Sequence, residues 1–322
     1  MVPSAFASLV DSFLKEEYED SPTLASSLGL TEYDERLDDT SAAAYERRRA
    51  SDLEWLRKFR AVADDGLAPA EGIDRDLLVS VLRGRELYQP LELWKRQPNY
   101  YLNPGLNGVF SLFLHRLRPE RELADAAAKR LDGVPTNIKD GVANLDFART
   151  PRVYAERAIG QARAAARYAR ELVPAEVTDA SSKERLTEAG AEAAKAFDDF
   201  AAYLESNKER TLGDWAIGEE LYTALLREKE LLPFGASELR ERGREQHALL
   251  STEANRIATE VDGSGDWAKT CDRLNKIHAP TPDAMRDEYA DWTERARTFL
   301  RDTRLVTLPP GEECTVEPSP PF

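Results

Sequence analysis

The chain has 322 residues, 42% of them hydrophobic, and a formal net charge of −15. That is enough apolar material for a globular core in one or two domains. The acidic balance argues against duplex nucleic acid or an anionic membrane as a partner, because neutralising phosphates takes clustered Lys and Arg.

Phe6, Leu9, Val10, Phe13 and Leu14 fall at helical spacing, and the first helix should stop near Ser21-Pro22, since proline restricts the residue before it. Asp39, Thr40 and Ser41 offer caps for a second helix carrying Trp55, Leu56 and Phe59, and Leu77, Leu78, Val81 and Leu82 mark a third. The stretch LWKRQPNYYLNPGLNGVF, Leu93 to Phe110, reads as a hydrophobic loop, with prolines, asparagines and glycines among aromatics. Helical periodicity then returns over 120–131, 136–148, 151–173, 181–207, 213–231, 236–262 and 280–303, punctuated by Pro151, Pro174, Pro233 and Pro280. In the closing RLVTLPPGEECTVEPSPPF, Val306 and Leu308 alternate with polar neighbours around a Pro309-Pro310-Gly311 turn, which predicts a short hairpin or extended segment over 304–322. The expected fold is all-α: one domain over 1–322, built of long antiparallel helices, with no fixed-period repeat and no linker longer than about ten residues.

Signals for chemistry are sparse. The three histidines, His115, His247 and His278, are too far apart for the paired imidazoles of an H-E-x-x-H zinc site, and no G-x-S-x-G elbow is present. Cys271 and Cys314 match no metal spacing and read as free thiols of a reducing compartment. The N-terminus has no basic n-region and no apolar run reaches transmembrane length, so the expected location is cytoplasmic. Gly263-Ser264-Gly265-Asp266-Trp267-Ala268 matches G-x-G-x-x-A in letters only, because a helical pattern rather than a strand precedes it; a glycine C-cap before a new helical turn is the simpler reading. Gly218 interrupts an otherwise helical stretch without an evident turn, which suggests that something packs close to it. No catalytic residue, metal ligand or cofactor site is assigned.

Four stretches, SLGLTEYDERLDDTS (Ser27 to Ser41), IDRDLLVSVLRGRELYQPLELWKRQPNYYLNP from Ile73, AIGEELYTALLREKELLPF (Ala216 to Phe234) and the closing LVTLPPGEECTVEPSPPF, resemble in order and spacing the bacterial domain-of-unknown-function 885 family. The resemblance implies a helical zinc metallopeptidase, similar in fold to the thermostable zinc carboxypeptidases, whose metal motif lies in the second half of a longer chain. On that reading these residues are the N-terminal, substrate-groove half, not competent by itself, with zinc expected only in the complete protein and a peptide or amide as substrate. Tyr100, Tyr101, Asn103, Gly218, Glu219 and Tyr222 are the expected groove positions, and 304–322 is expected to pair with the other half or to self-associate. The alternative is a non-enzymatic helical interaction module or pseudoenzyme subunit.

Overall fold

The computed structural model describes residues 4–311 and 314–317, and 76% of the described residues are helical. The helices are α1 (Ala5–Asp20), α2 (Pro22–Ser27), α3 (Ala42–Arg60), α4 (Pro69–Tyr88), α5 (Leu93–Arg96), α6 (Asn99–His115), α7 (Glu120–Asn144), α8 (Arg152–Arg167), α9 (Ala180–Asn207), α10 (Glu219–Ala224), α11 (Ala236–Asp262), α12 (Trp267–Leu274) and α13 (Pro282–Thr303). They fall into two compact units, Met1–Ala236 and Ser237–Pro321. Where one domain is expected from the sequence, the boundary lies at the first turn of α11, with no linker to mark it.

The first unit has two cores. Phe6 and Phe13 of α1 meet Trp55, Leu56 and Phe59 of α3 and Leu82 of α4, with Phe13 set edge-on to both Trp55 and Phe59 at 5.5 Å. Edge-on rings place positive ring edges against negative faces, a preferred aromatic contact. The larger core joins α6 to α9, and its small residues allow close approach: Ala158, Ala162 and Ala165 of α8 are fully buried, as are Ala193 and Ala194 of α9.

Three sequence expectations need correction. Leu93 to Phe110 is not a loop: α5 and α6 run through it, and α6 continues past Pro104. Its two glycines are packing devices rather than breakers, since a Cβ on Gly105 would meet Val134 Cγ2 at 2.5 Å and one on Gly108 would meet Thr23 Cγ2 at 3.0 Å and the Arg130 guanidinium at 3.4 Å. The helix expected over 213–231 begins only at Glu219, and Gly218 is its cap at φ +85° with open space around it. Glycine is there for the left-handed backbone, not for a close neighbour. The hairpin expected over 304–322 is absent from the described part: Arg304 ends α13 in left-handed conformation, and 305–311 and 314–317 form no strand. A two-stranded ribbon without a neighbouring sheet is marginal in water. Residues 312–313 and 318–322, Phe322 among them, lie outside the described residues.

In the second unit Gly263 follows α11 at φ +77°, and Asp266 caps α12 through Ala268 N and Lys269 N, so the G-x-G-x-x-A letters are a helix end and a helix start. Hydrogen bonds from Ser264 above all, then from Thr270 and Arg273, hold the Asp262 carboxyl down at about 2, from an ordinary 3.8. A depressed carboxyl contributes stability above its unfolded pKa and loses it as pH falls through the folded value. The α11–α12 junction is therefore expected to be ordered above about pH 4 and to open progressively toward about pH 2. Amide exchange at Ser264 and Thr270 checks this; exchange unchanged across that window would contradict it.

Little of this unit is buried. Ala258 is the one buried residue of α11 among the described residues, and α13 has none. On α13, Met285, Tyr289, Trp292, Ala296 and Phe299 recur at alternating four- and three-residue steps and form an exposed stripe, with Trp292 61% and Tyr289 62% accessible. That spacing is the seam by which helices pair.

Candidate functional site

The site of the first unit is built around one buried cation. Arg130 of α7 is fully buried; its Nε donates to Arg36 O (3.1 Å), one terminal nitrogen to Tyr33 O (3.3 Å) and the other to Gly108 O of α6. Burial pushes its pKa down to about 10, opposed by the charges of Asp34 and Asp38. Three carbonyl acceptors fix the planar donor fork, so residues 33–36 are held against α6 and α7. The same loop is tied down by Ser26 Oγ to Asp34 (2.6 Å), by Thr23 N to Asp38 (3.0 Å) and by Thr40 Oγ1 to Asp140 (2.9 Å). The SLGLTEYDERLDDTS stretch is thus a loop folded over an arginine about ninety residues away.

That loop lines part of a cavity of about 580 Å³, whose other lining comes from α1, α2, α3, α4, α5 and α6. One wall is aromatic. Tyr45 of α3 stacks on Trp94 of α5 at 5.2 Å, 9° from parallel, and Tyr100 of α6 sits edge-on to Tyr45 at 6.2 Å. Burial raises the pKa of Tyr45 and of Tyr100, so both hydroxyls stay neutral.

Charged side chains make up much of the remaining lining, and the Arg48 guanidinium lies over the Tyr45 ring at 5.5 Å. Arg85 of α4 grips Glu17 through both terminal nitrogens (2.8 and 2.5 Å) and Asp52 through one (2.8 Å). Arg48 of α3 donates to the backbone carbonyls of Asp20 and Asp39, each at 2.7 Å, and its buried Nε has no partner. Asp20, the last residue of α1, lines the cavity; burial raises its pKa against the pull of the Arg48 and Arg47 charges. Burial also raises Asp52, against the pull of Arg85. Around the cavity six carboxylates, Glu17, Asp20, Asp38, Glu46, Asp52 and Glu92, face three guanidiniums, Arg48, Arg49 and Arg85. Aromatic faces, amide groups of Asn103 and Asn107 and unequal charge make a surface suited to holding a polar ligand.

Of the expected groove positions, Tyr100 and Asn103 line this cavity. Tyr101 lies beneath it, 1% exposed, its hydroxyl donating to Trp94 O at 2.5 Å and its ring against Gly141. A helix sends adjacent residues to different faces, which separates Tyr100 from Tyr101. Gly218, Glu219 and Tyr222 are exposed on and before α10, away from the cavity, so the expected single groove does not gather all six. Sequence reasoning missed Asp20, Tyr45, Arg48, Asp52 and Arg85. Their spacing along three helices is that of any solvated charged face, and Trp94 alone carried a signal, as part of the aromatic patch.

Among the described residues no group of three His, Cys, Asp or Glu could hold a metal ion, and the three histidines are exposed. The described residues do not fit zinc. No described helix is long and apolar enough to cross a membrane.

Fold and cavity define an all-α protein with an aromatic and charged cavity in its first unit. The chain belongs to the family described as bacterial protein of unknown function (DUF885), whose model matches residues 22–322. Its fold is similar to a solved structure, a candidate lipoprotein of unknown function from Shewanella oneidensis, at TM-score 0.70 and 18% identity, covering 96% of this chain and 59% of that one. The chain therefore spans well under two thirds of that relative's length. No curated protein matches the chain.

Proposed function

We propose that this chain supplies the substrate-binding wall of a peptide or amide hydrolase of the zinc metallopeptidase type, acting in the cytoplasm, and that it does not complete catalysis by itself. The cavity lined by Tyr45, Trp94 and Tyr100 and by Asp20, Asp52 and Arg85 carries this reading. An apolar face with a few placed polar groups is how proteins grip small ligands and peptide side chains. Zinc belongs, in this proposal, to a part of the family fold that these 322 residues do not span, consistent with coverage of 59% of the longer relative. A cytoplasmic setting suits Cys271 and Cys314, both exposed and unpaired.

A second reading, a helical interaction module, is favoured by one observation: the exposed seam of α13. An aromatic stripe of this kind attracts a partner helix or a second copy, and it is a better basis for self-association than the segment after Arg304, whose described residues form no strand.

Binding and turnover of fluorescent peptides by the full chain separate the two readings. The expected result is saturable binding that quenches Trp94 fluorescence and is lost in Trp94→Leu, with no hydrolysis. Hydrolysis by the chain alone would overturn the non-catalytic assignment. Absence of peptide binding, together with dimerisation abolished by Trp292→Glu, would replace the groove reading with the interaction module.

A further inference from the structure

We propose that Asn103 of α6 recognises a neutral carbonyl oxygen of the ligand and that Gln161 of α8 positions it for that contact; this rests on reading the cavity as the peptide-binding site. Three side-chain amides form a chain where α6 meets α8. Asn99 Nδ2 donates to Gln161 Oε1, and Gln161 Nε2 donates to Asn103 Oδ1 at 3.2 Å. Asn99 and Asn103 reach the same glutamine because they stand four residues apart on one helix face. A carboxamide is planar, with its acceptor on one arm and its two donors on the other. Gln161 holds the acceptor arm of Asn103, so the donor arm is turned away from Gln161. Asn103 lines the cavity, and its Nδ2 has no partner among the described residues.

What remains is a pair of donors with a fixed direction beside a cavity of about 580 Å³. Its polar neighbours differ. Thr23 and Thr40 spend their hydroxyl protons on Asp38 and Asp140, and Arg85 is held by Glu17 and Asp52. Asn107, one turn further on, is exposed, and no partner among the described residues fixes its rotamer. The donors of Asn103 call for an oxygen acceptor, and the charge of the lining decides which kind. Six carboxylates against three guanidiniums disfavour a further anion and favour the neutral carbonyl of a peptide group.

The test is titration of the full 322-residue chain with acetyl-trialanine amide, with analogues in which one carbonyl oxygen at a time is replaced by the weaker acceptor sulfur, and with acetate. Affinity is read by calorimetry, and the Asn103 side-chain amide by nitrogen–proton NMR, its signal identified by its absence from Asn103→Asp. The parent peptide should shift that signal, and one sulfur analogue should bind about three- to tenfold more weakly than the parent, the scale of one neutral hydrogen bond. Asn103→Asp keeps the acceptor for Gln161 but removes the cavity donors, so the parent should fall to the affinity of that analogue. Gln161→Glu offers an acceptor where a donor stood, which turns the Asn103 amide around and should erase the same difference. Both changes are isosteric. Peptide binding with the Asn103 signal unmoved and all analogues equal to the parent overturns the inference and leaves the peptide site standing. A sulfur effect that survives Gln161→Glu overturns the positioning role. Acetate moving the Asn103 signal as far as the peptide does, at equal concentration, overturns the choice of a neutral carbonyl. No binding of any peptide overturns both this inference and the reading it rests on.

Discussion

Arg130→Met is expected to lower the unfolding free energy of the first unit by about 3–5 kcal/mol, the usual effect of removing one member of a buried charged network. Methionine restores much of the volume but none of the donors. Tyr33 O, Arg36 O and Gly108 O then lose the guanidinium that bonds them, and Asp34 and Asp38 lose the cation that offsets their charge. Arg130→Lys should recover part of the loss, since an ammonium keeps the charge without the planar fork that reaches three acceptors. Because the loop over Arg130 carries Asp38 and Thr40 to the cavity, ligand binding should weaken in both variants. Urea denaturation followed by tryptophan fluorescence reads the effect. A loss under about 1 kcal/mol for Arg130→Met would mean that the loop is held by its surface contacts and not by the buried guanidinium.

Two glycine-to-alanine changes should act in opposite directions. Gly190 of α9 lies against the carbonyl of Ala169 in the π-helical turn Tyr168–Leu172. An added Cβ would overlap that oxygen and come within 3.2 Å of its carbon, and backbone cannot swing aside as a side chain can. Gly190→Ala is expected to cost about 2–3 kcal/mol, in the upper part of the range for overpacking a close-packed core. Gly160 of α8 is exposed, and nothing lies within 4 Å of a Cβ placed there. Gly160→Ala should stabilise by about 0.5–1 kcal/mol, because alanine loses less backbone entropy in a helix. Paired thermal melts decide the matter, and equal shifts in both variants would contradict the packing account.

What the sequence determined by itself was local. Helix positions followed from apolar spacing and caps: α1 ends before Pro22, α3 carries Trp55, Leu56 and Phe59 inward from its Ser41 cap, and α9 and α11 run where the alanine- and charge-rich patterns predict. These depend on contacts between residues three or four apart, which a linear reading contains. The four family stretches were legible in the same way, as ordered strings.

Only the tertiary structure decided where long-range packing outweighs local preference. Pro104 and Gly108 signal a break, yet α6 runs through both, and at Gly108 Thr23 and Arg130 fill the space a larger side chain would need. Gly218 signalled a close neighbour and is a left-handed cap instead. The hairpin pattern after Arg304 stayed unpaired in the described residues for want of a neighbouring strand. The cavity was the least legible feature. Its groups come from six helices and a loop, and Asp20, Tyr45 and Arg85 differ from surface residues only in what the fold brings near them. Burial turns ordinary Asp20 into a carboxylate with a raised pKa, and burial is a property of the assembled chain, not of the residue.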